Sequence, residues 1–187
     1  MRIIGGRWRG LRLASVGKGD AAAHLRPTSD RVRESLFSLL DGGRIDATLE
    51  GATVLDLFAG TGALGLEALS RGAASVTFVE NGRTAQKILT ANIAKTAPEG
   101  CKTLRLDATR IPKNEGAPAS LVFLDPPYGR DLGAKALTIA AGQGWLKDDA
   151  IVVWEEETPQ ASPESFSLLE TRRYGQTWLT ILKFDHA

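Results

Sequence analysis

One cysteine, Cys101, stands in 187 residues, so an intrachain disulfide is impossible and a disulfide-stapled scaffold is excluded. No apolar run approaches the ~18 residues that span a bilayer. The opening Met-Arg-Ile-Ile-Gly-Gly-Arg-Trp-Arg-Gly lacks the apolar core of a signal peptide. These absences lead us to expect a cytoplasmic protein with no membrane association. Histidine is scarce as well. His24 and His186 both lie outside the core pattern, which leaves no obvious proton donor for a nicotinamide-dependent oxidoreductase.

What is present suffices for one core. Hydrophobic residues make up 43% of the chain and charged residues 24%, and the length fits one α/β domain with a small appendage. The net charge of +1 hides an asymmetry. Residues 1–33 hold eight basic residues against Asp20 and Asp30, a net of +6, which leaves −5 on the rest. A basic arm on a mildly acidic domain points to a polyanionic partner, nucleic acid first, or else to a solvated arm. We divide the chain into a basic N-terminal arm, 1–25, and a domain over 26–187.

Ile3 to Leu13 reads as a short β-hairpin or extended arm, with Trp8 among Arg7, Arg9 and Arg12. That mixture suits phosphates and base stacking, or a tryptophan tucked onto the domain. Pro27 forces Arg26 out of helical geometry, and Thr28, Ser29 or Asp30 supplies an N-cap. The helix that follows runs through Leu40 and stops at Asp41-Gly42-Gly43. Arg31 and Arg33 in its first turn oppose the helix dipole, which hints at a tertiary or ligand role.

From residue 53, apolar runs at 53–57, 75–79, 103–106, 120–124 and 150–154 alternate with helical stretches at 63–71, 82–96 (capped by Asn81) and 131–142. Alternation of this kind predicts a doubly wound, mostly parallel α/β sheet of about seven strands. Phe166 to Tyr174 and Thr177 to Phe184, joined by Gly175-Gln176, form an antiparallel hairpin at its end.

Residues 54–72 combine a strand, a glycine turn and a helix. Gly60, Gly62 and Gly65 match G-x-G-x-x-G, and Glu80 follows 20 residues after Gly60. The strand ends carry acids in series: Asp56, Glu80, Asp107 and Asp125. Beside a pyrophosphate, Asp56 would bring negative charge against negative charge. S-adenosylmethionine instead offers a sulfonium, an ammonium and ribose hydroxyls, all suited to carboxylates. The pattern therefore favours the methyl donor over a nicotinamide dinucleotide.

Leu121 to Gly129 reads Leu-Val-Phe-Leu-Asp-Pro-Pro-Tyr-Gly. Two prolines directly after a buried strand cannot extend the ladder, and they leave the carbonyls of Asp125 and Pro126 as acceptors. With the Asp125 carboxylate these could grip a planar NH₂ group while Tyr128 stacks on its ring. Such acceptors favour pyramidalisation of a delocalised amine and stabilise the charge that develops as it attacks a methyl.

The turn Leu55-Asp-Leu-Phe-Ala-Gly-Thr-Gly62 followed by Asp125-Pro-Pro-Tyr128 resembles the amino-methyltransferases of nucleic acids. With Arg2-Ile-Ile-Gly-Gly-Arg-Trp-Arg-Gly and Arg26-Pro-Thr-Ser-Asp-Arg-Val-Arg-Glu-Ser-Leu-Phe, the chain resembles the RsmD family from residue 2 to about 184. Those enzymes methylate the exocyclic N2 of one guanine in small-subunit (16S) ribosomal RNA, and their fold is a Rossmann-like methyltransferase fold. The resemblance implies S-adenosylmethionine as cofactor, with Asp56 and the Phe58, Ala59, Gly60, Thr61 and Gly62 backbone on its methionine end. It implies Glu80, with Asn81 beside it, on the ribose, and Asp107 with Ala108 on the adenine. Asp125, Pro126, Pro127 and Tyr128 would receive the guanine, and Arg2, Arg7, Arg9, Arg12, Arg26, Arg31 and Arg33 would face RNA. It further implies ribosomal RNA or an assembling small subunit as partner; we expect a monomer, and the proposed transfer needs no metal. A DNA adenine or cytosine amino-methyltransferase and an oxidoreductase using the same turn are the alternatives. The length leaves no second domain to read DNA.

Overall fold

The computed structural model describes residues 1–15, 30–45, 47–96 and 99–185. Arg26, Pro27, the candidate caps Thr28 and Ser29, His24 and His186 lie outside them.

Seven strands form one sheet in the order β3-β2-β1-β4-β5-β7-β6. They are β1 Thr53–Leu57, β2 Ser75–Val79, β3 Cys101–Leu104, β4 Ala119–Leu124, β5 Leu146–Glu156, β6 Phe166–Tyr174 and β7 Thr177–Phe184. β1 to β5 run parallel, and β7 returns antiparallel between β5 and β6. The expected doubly wound sheet with a terminal hairpin is therefore what the chain builds. Among the described residues no helix is long and apolar enough to cross a membrane.

The helices are α1 Asp30–Asp41, α2 Ala63–Ser70, α3 Arg83–Thr96 and α4 Leu132–Gly142. One sheet face packs Val54, Phe78, Phe123 and Val153 against α1, α2 and Leu89 of α3. The other packs Leu55, Leu57, Val122 and Leu124 against α4 and the Ala108–Arg110 3-10 turn. Period-2 alternation thus feeds both layers from the same strands. α3 begins later than expected: Gln86 N–H donates to the Gly82 carbonyl, so Gly82 rather than Asn81 takes the cap position.

Two strands differ from their sequence reading. β3 starts at Cys101, because the turn at Gly100 (φ +76°) delivers the chain there and Val76 pairs with Cys101. The expected end at Leu106 is instead 37% exposed. β5 is longer at both ends than 150–154. A register shift opposite Ala119 and Leu121, with Asp149 at φ +62°, lets the strand continue through a bulge. At its far end Glu155 and Glu156 stay in the ladder against Leu179 and Trp178.

The N-terminal segment does form an antiparallel pair, bridged at Arg2 and Arg12 around a 3-10 turn, Gly6–Trp8. It is docked on the helices. Glu67 of α2 accepts from Ile4 N–H and Gly5 N–H, both at 2.7 Å, and Ser70 binds Trp8 N–H and the Gly5 carbonyl. Gly6 (φ +72°) passes so near α2 that a Cβ would lie 1.8 Å from the Ser70 carbonyl oxygen. Only glycine fits there.

Candidate active site

The strand order reverses between β1 and β4, the place where ligands of doubly wound sheets bind. On the β1 side, Phe58 turns the chain out of the strand at φ +58°, a left-handed conformation costly for a bulky side chain. Gly60 and Gly62 continue at φ +55° and +78°, with Gly62 N–H donating to the Ala59 carbonyl at 2.7 Å. The third glycine serves packing: a Cβ on Gly65 would meet Phe78 Cε1 at 2.4 Å.

The acids of this half are bound to backbone amides. Glu80, at the end of β2, accepts from Gly60 N–H at 2.8 Å with one oxygen and from Gly82 N–H at 2.6 Å with the other. Buried Asp56 accepts from Gly65 N–H at 3.0 Å. Burial, offset by that bond and reinforced by the charge of Glu80, raises its carboxyl to about 7. Asp107 caps the 3-10 turn through Thr109 N–H, which holds its carboxyl below the usual range. Ala108 beside it is buried, whereas Asn81 is exposed.

These bonds bear on the cofactor. In a dinucleotide site the amides of the turn and of the following helix grip a pyrophosphate. Here the Gly60 and Gly65 amides are already taken by the acid side chains of Glu80 and Asp56. The donor set suits a cation with ribose hydroxyls and opposes a pyrophosphate.

On the β4 side, Asp125 N–H reaches the Leu57 carbonyl of β1 at 3.5 Å, which sets the Asp-Pro-Pro-Tyr loop against the root of the glycine turn. The register Asp56–Phe123–Val153 puts Asp56, Asp125 and Glu155 on one face of three adjacent strands. Burial first, then the charges of Glu155, Asp56 and Glu156, push the Asp125 carboxyl well above the carboxylate range. Tyr128 O–H donates to Glu155 Oε1 at 3.1 Å, which fixes the ring at the mouth of the site. Glu155 and Glu156 were missed in the sequence. The apolar run stops at Trp154, and the three glutamates that follow carry no apolar signal. The available signal was strand alternation continuing through Glu155.

The arginines divide. Arg7, Arg9, Arg12 and Arg31 are exposed, with Arg7 stacked on Trp8 at 4.1 Å, and Arg2 is exposed beside Asp30. Arg33 corrects an expectation: it is fully buried and cannot face RNA. Its Nη2 donates to the Arg2 carbonyl and to Asp30 Oδ1, both at 2.6 Å, so its role is tertiary. Among the described residues no cluster of His, Cys, Asp or Glu is arranged to hold a metal ion. A cavity of about 320 Å³ lies at the opposite strand edge, lined by Thr53, Ser75, Cys101 and Trp145. The chemistry-bearing side chains lie at the carboxyl edge, and we place the site there.

A seven-stranded sheet of this order, with its acidic carboxyl edge and reversed last strand, defines the Rossmann-like methyltransferase class of fold. A solved structure described as a putative methyltransferase, yhhF, from Escherichia coli superposes with TM-score 0.83 at 36% identity, covering 100% of this chain and 99% of that one. The putative methylase HI0767 of Haemophilus influenzae gives 0.75 at 32%, covering 99% and 98%. Residues 1–183 match the family described as Conserved hypothetical protein 95. Ribosomal RNA small subunit methyltransferase D of Escherichia coli K12 is 39% identical over 87% of this chain and 78% of its own length. Its Haemophilus influenzae namesake is 36% identical over 94% and 89%. The chain belongs to this family, that of the RsmD methyltransferases.

Proposed function

We propose that the protein transfers a methyl group from S-adenosylmethionine to the exocyclic N2 of a guanine in small-subunit ribosomal RNA. The observation that carries this reading is the adjacency of two unlike sites across the β1–β4 switch. One is a glycine turn whose amides are occupied by carboxylates; the other is an acceptor loop built on Asp125. When bound, the cofactor supplies an electrophilic methyl on a sulfonium.

The chain's residues do the rest. Asp56 and the Phe58–Gly62 backbone hold the methionine end, Glu80 and Asn81 the ribose, and Asp107 with Ala108 the adenine. Asp125 and the Pro126 carbonyl accept from the two N2 hydrogens, and Tyr128, tethered to Glu155, stacks on the base. A cofactor held there would supply its methyl to the N2 lone pair, the displaced electron pair staying on its sulfur. The amine proton then leaves to an adjacent base, and the Asp125 carboxylate is placed to take it. An unpaired or flipped-out guanine is needed to bring N2 to the turn.

Arg2, Arg7, Arg9, Arg12 and Arg31 face the RNA. The enzyme works as a cytoplasmic monomer, without a metal, on ribosomal RNA or an assembling small subunit. The test is mass spectrometry of ribosomal RNA from cells with and without this protein, followed by methylation in vitro of small subunits and of deproteinised RNA. Loss of one N2-methylguanine in the deletion, restored in vitro, is the expected result; an unchanged modification profile overturns the proposal. Binding to RNA should weaken steeply with salt. An equal salt response after Arg9→Ala and Arg12→Ala would show that the arm does not contact it.

A further inference from the structure

α3 lays Ala85, Leu89 and Asn92 on its buried face, at the i, i+4, i+7 spacing of a core stripe. Asparagine there is unfavourable. It is a poor helix-interior residue, and a fully buried amide is costly unless it is bonded. Leucine would fill such a position, but it could not make the bonds found here. Asn92 Oδ1 accepts from Ala14 N–H at 2.7 Å, and Nδ2 donates to the Ala14 carbonyl at 3.0 Å, so the side chain pairs with the arm as a neighbouring strand would. The second Nδ2 hydrogen reaches the Thr61 carbonyl at 2.9 Å, inside the glycine turn. One amide therefore holds both Ala14 of the basic arm and the peptide between Thr61 and Gly62. One turn further along α3, Lys95 Nζ donates to the Arg12 carbonyl.

We propose that Asn92 is a positioning residue that joins the RNA-facing arm to the cofactor turn, so that occupation of either one favours the other. This rests on the reading of the turn as the S-adenosylmethionine site and of the arm as an RNA surface. A ligand that immobilises the turn holds the Thr61 carbonyl in place for Asn92, and Asn92 then holds Ala14. RNA on Arg7, Arg9 and Arg12 restrains the same amide from the other side. By linkage the two effects are equal in binding free energy. Nothing in the contact touches the reacting atoms, so its signature belongs in affinity rather than in the methyl-transfer step.

The test begins with the wild-type chain. Hydrogen exchange is followed with and without S-adenosylhomocysteine, comparing residues 57–66 with the Ala14 amide. The expected result is protection of both. Protection of the turn with no change at Ala14 overturns the inference and leaves the functional reading standing. No protection of the turn overturns that reading, and this inference with it. In Asn92→Ala the homologue should still protect the turn but no longer Ala14. The KM for S-adenosylmethionine should rise about five- to tenfold, with kcat at saturation unchanged. An unaltered KM in a folded variant, or a fall in kcat alone, refutes the positioning role.

Discussion

The two halves of the carboxyl edge use the same residue type in opposite ways. On the β1–β2 side, Asp56 and Glu80 are bonded to amides of the glycine turn and the loop after β2, so the acids shape the backbone. On the β4–β5 side, burial first, and then the charges of Glu155, Asp56 and Glu156, raise the Asp125 carboxyl. A carboxylate among amides is a scaffold. A carboxylate among carboxylates has a high proton affinity and a strong demand for a partner with hydrogens to give. That environment is why the proposed mechanism gives Asp125 the reactive role and leaves Asp56 and Glu80 to hold the turn.

Removing Asp125 should break the comparison most visibly. Asp125→Ala deletes the acceptor on the amine and is expected to lower kcat about 10²- to 10³-fold while leaving S-adenosylhomocysteine affinity nearly intact. Single-turnover methylation and calorimetry measure the two separately, and full activity would remove Asp125 from the mechanism. Wild-type pH dependence follows the same logic. The active carboxylate is the ionised form, and its pKa is raised, so activity should fall on acidification while the pH is still above the ordinary carboxylate range.

Glu80 tests the scaffold half. Glu80→Ala leaves the Gly60 and Gly82 amides without their acceptor, at about 1–3 kcal/mol for the buried Gly60 group. Cofactor affinity should drop tenfold or more, with a lower melting temperature. Glu80→Gln should do little better, because a carboxamide has one acceptor oxygen for two N–H groups. If the ribose contact were the whole role, Gln would retain much of the affinity.

Asp56 lies on the boundary between the two behaviours, with one amide bond and a carboxyl at about 7. The free protein holds a proton there near neutrality that the unfolded chain has already lost. Between the ordinary aspartate range and about 7, this group therefore makes stability fall as pH rises. Binding a cation requires the ionised form. Cofactor affinity should rise with pH up to about 7 and then level off, with proton release detectable by calorimetry in buffers of different ionisation heat. Asp56→Asn should flatten both dependences and weaken binding; a pH-independent wild type would place the cation elsewhere.

Most of the fold was legible because β1, β2 and the hairpin strands are short runs bounded or joined by glycine turns. Gly175 at φ +65° makes the two-residue hairpin loop that its position between two apolar runs announced. The placing of Asp56, the glycines and Glu80 at one sheet edge was legible for the same reason: they sit at fixed offsets from strand ends. Glu155 was not, and Arg33 only in part: its place in the first turn of α1 hinted at a tertiary role, but not at which partner it meets. A glutamate buried against Tyr128, and an arginine buried under the Arg2 carbonyl, follow from partners distant in the chain. Local charge pattern does not name such partners.

The smallest expected effect concerns the β5 glutamates and sharpens the target half. Groups acting on Asp125 include Glu155 and Glu156 from β5 and Asp56 from β1, with Glu155 the strongest of the three. Removing a like charge makes ionisation easier, so Glu155→Gln should lower the Asp125 pKa and move the acid limb of the pH–rate profile to lower pH. Gln keeps an oxygen that accepts from Tyr128 O–H, so the ring stays tethered and the shift reports charge alone. Glu156→Gln should shift the limb in the same direction by less, because its charge is the weakest of the three neighbours. Profiles taken at saturating S-adenosylmethionine keep the Asp56 titration out of the measurement. A limb that stays fixed in Glu155→Gln would mean that burial alone sets the proton affinity of Asp125, and that Glu155 serves only to hold Tyr128.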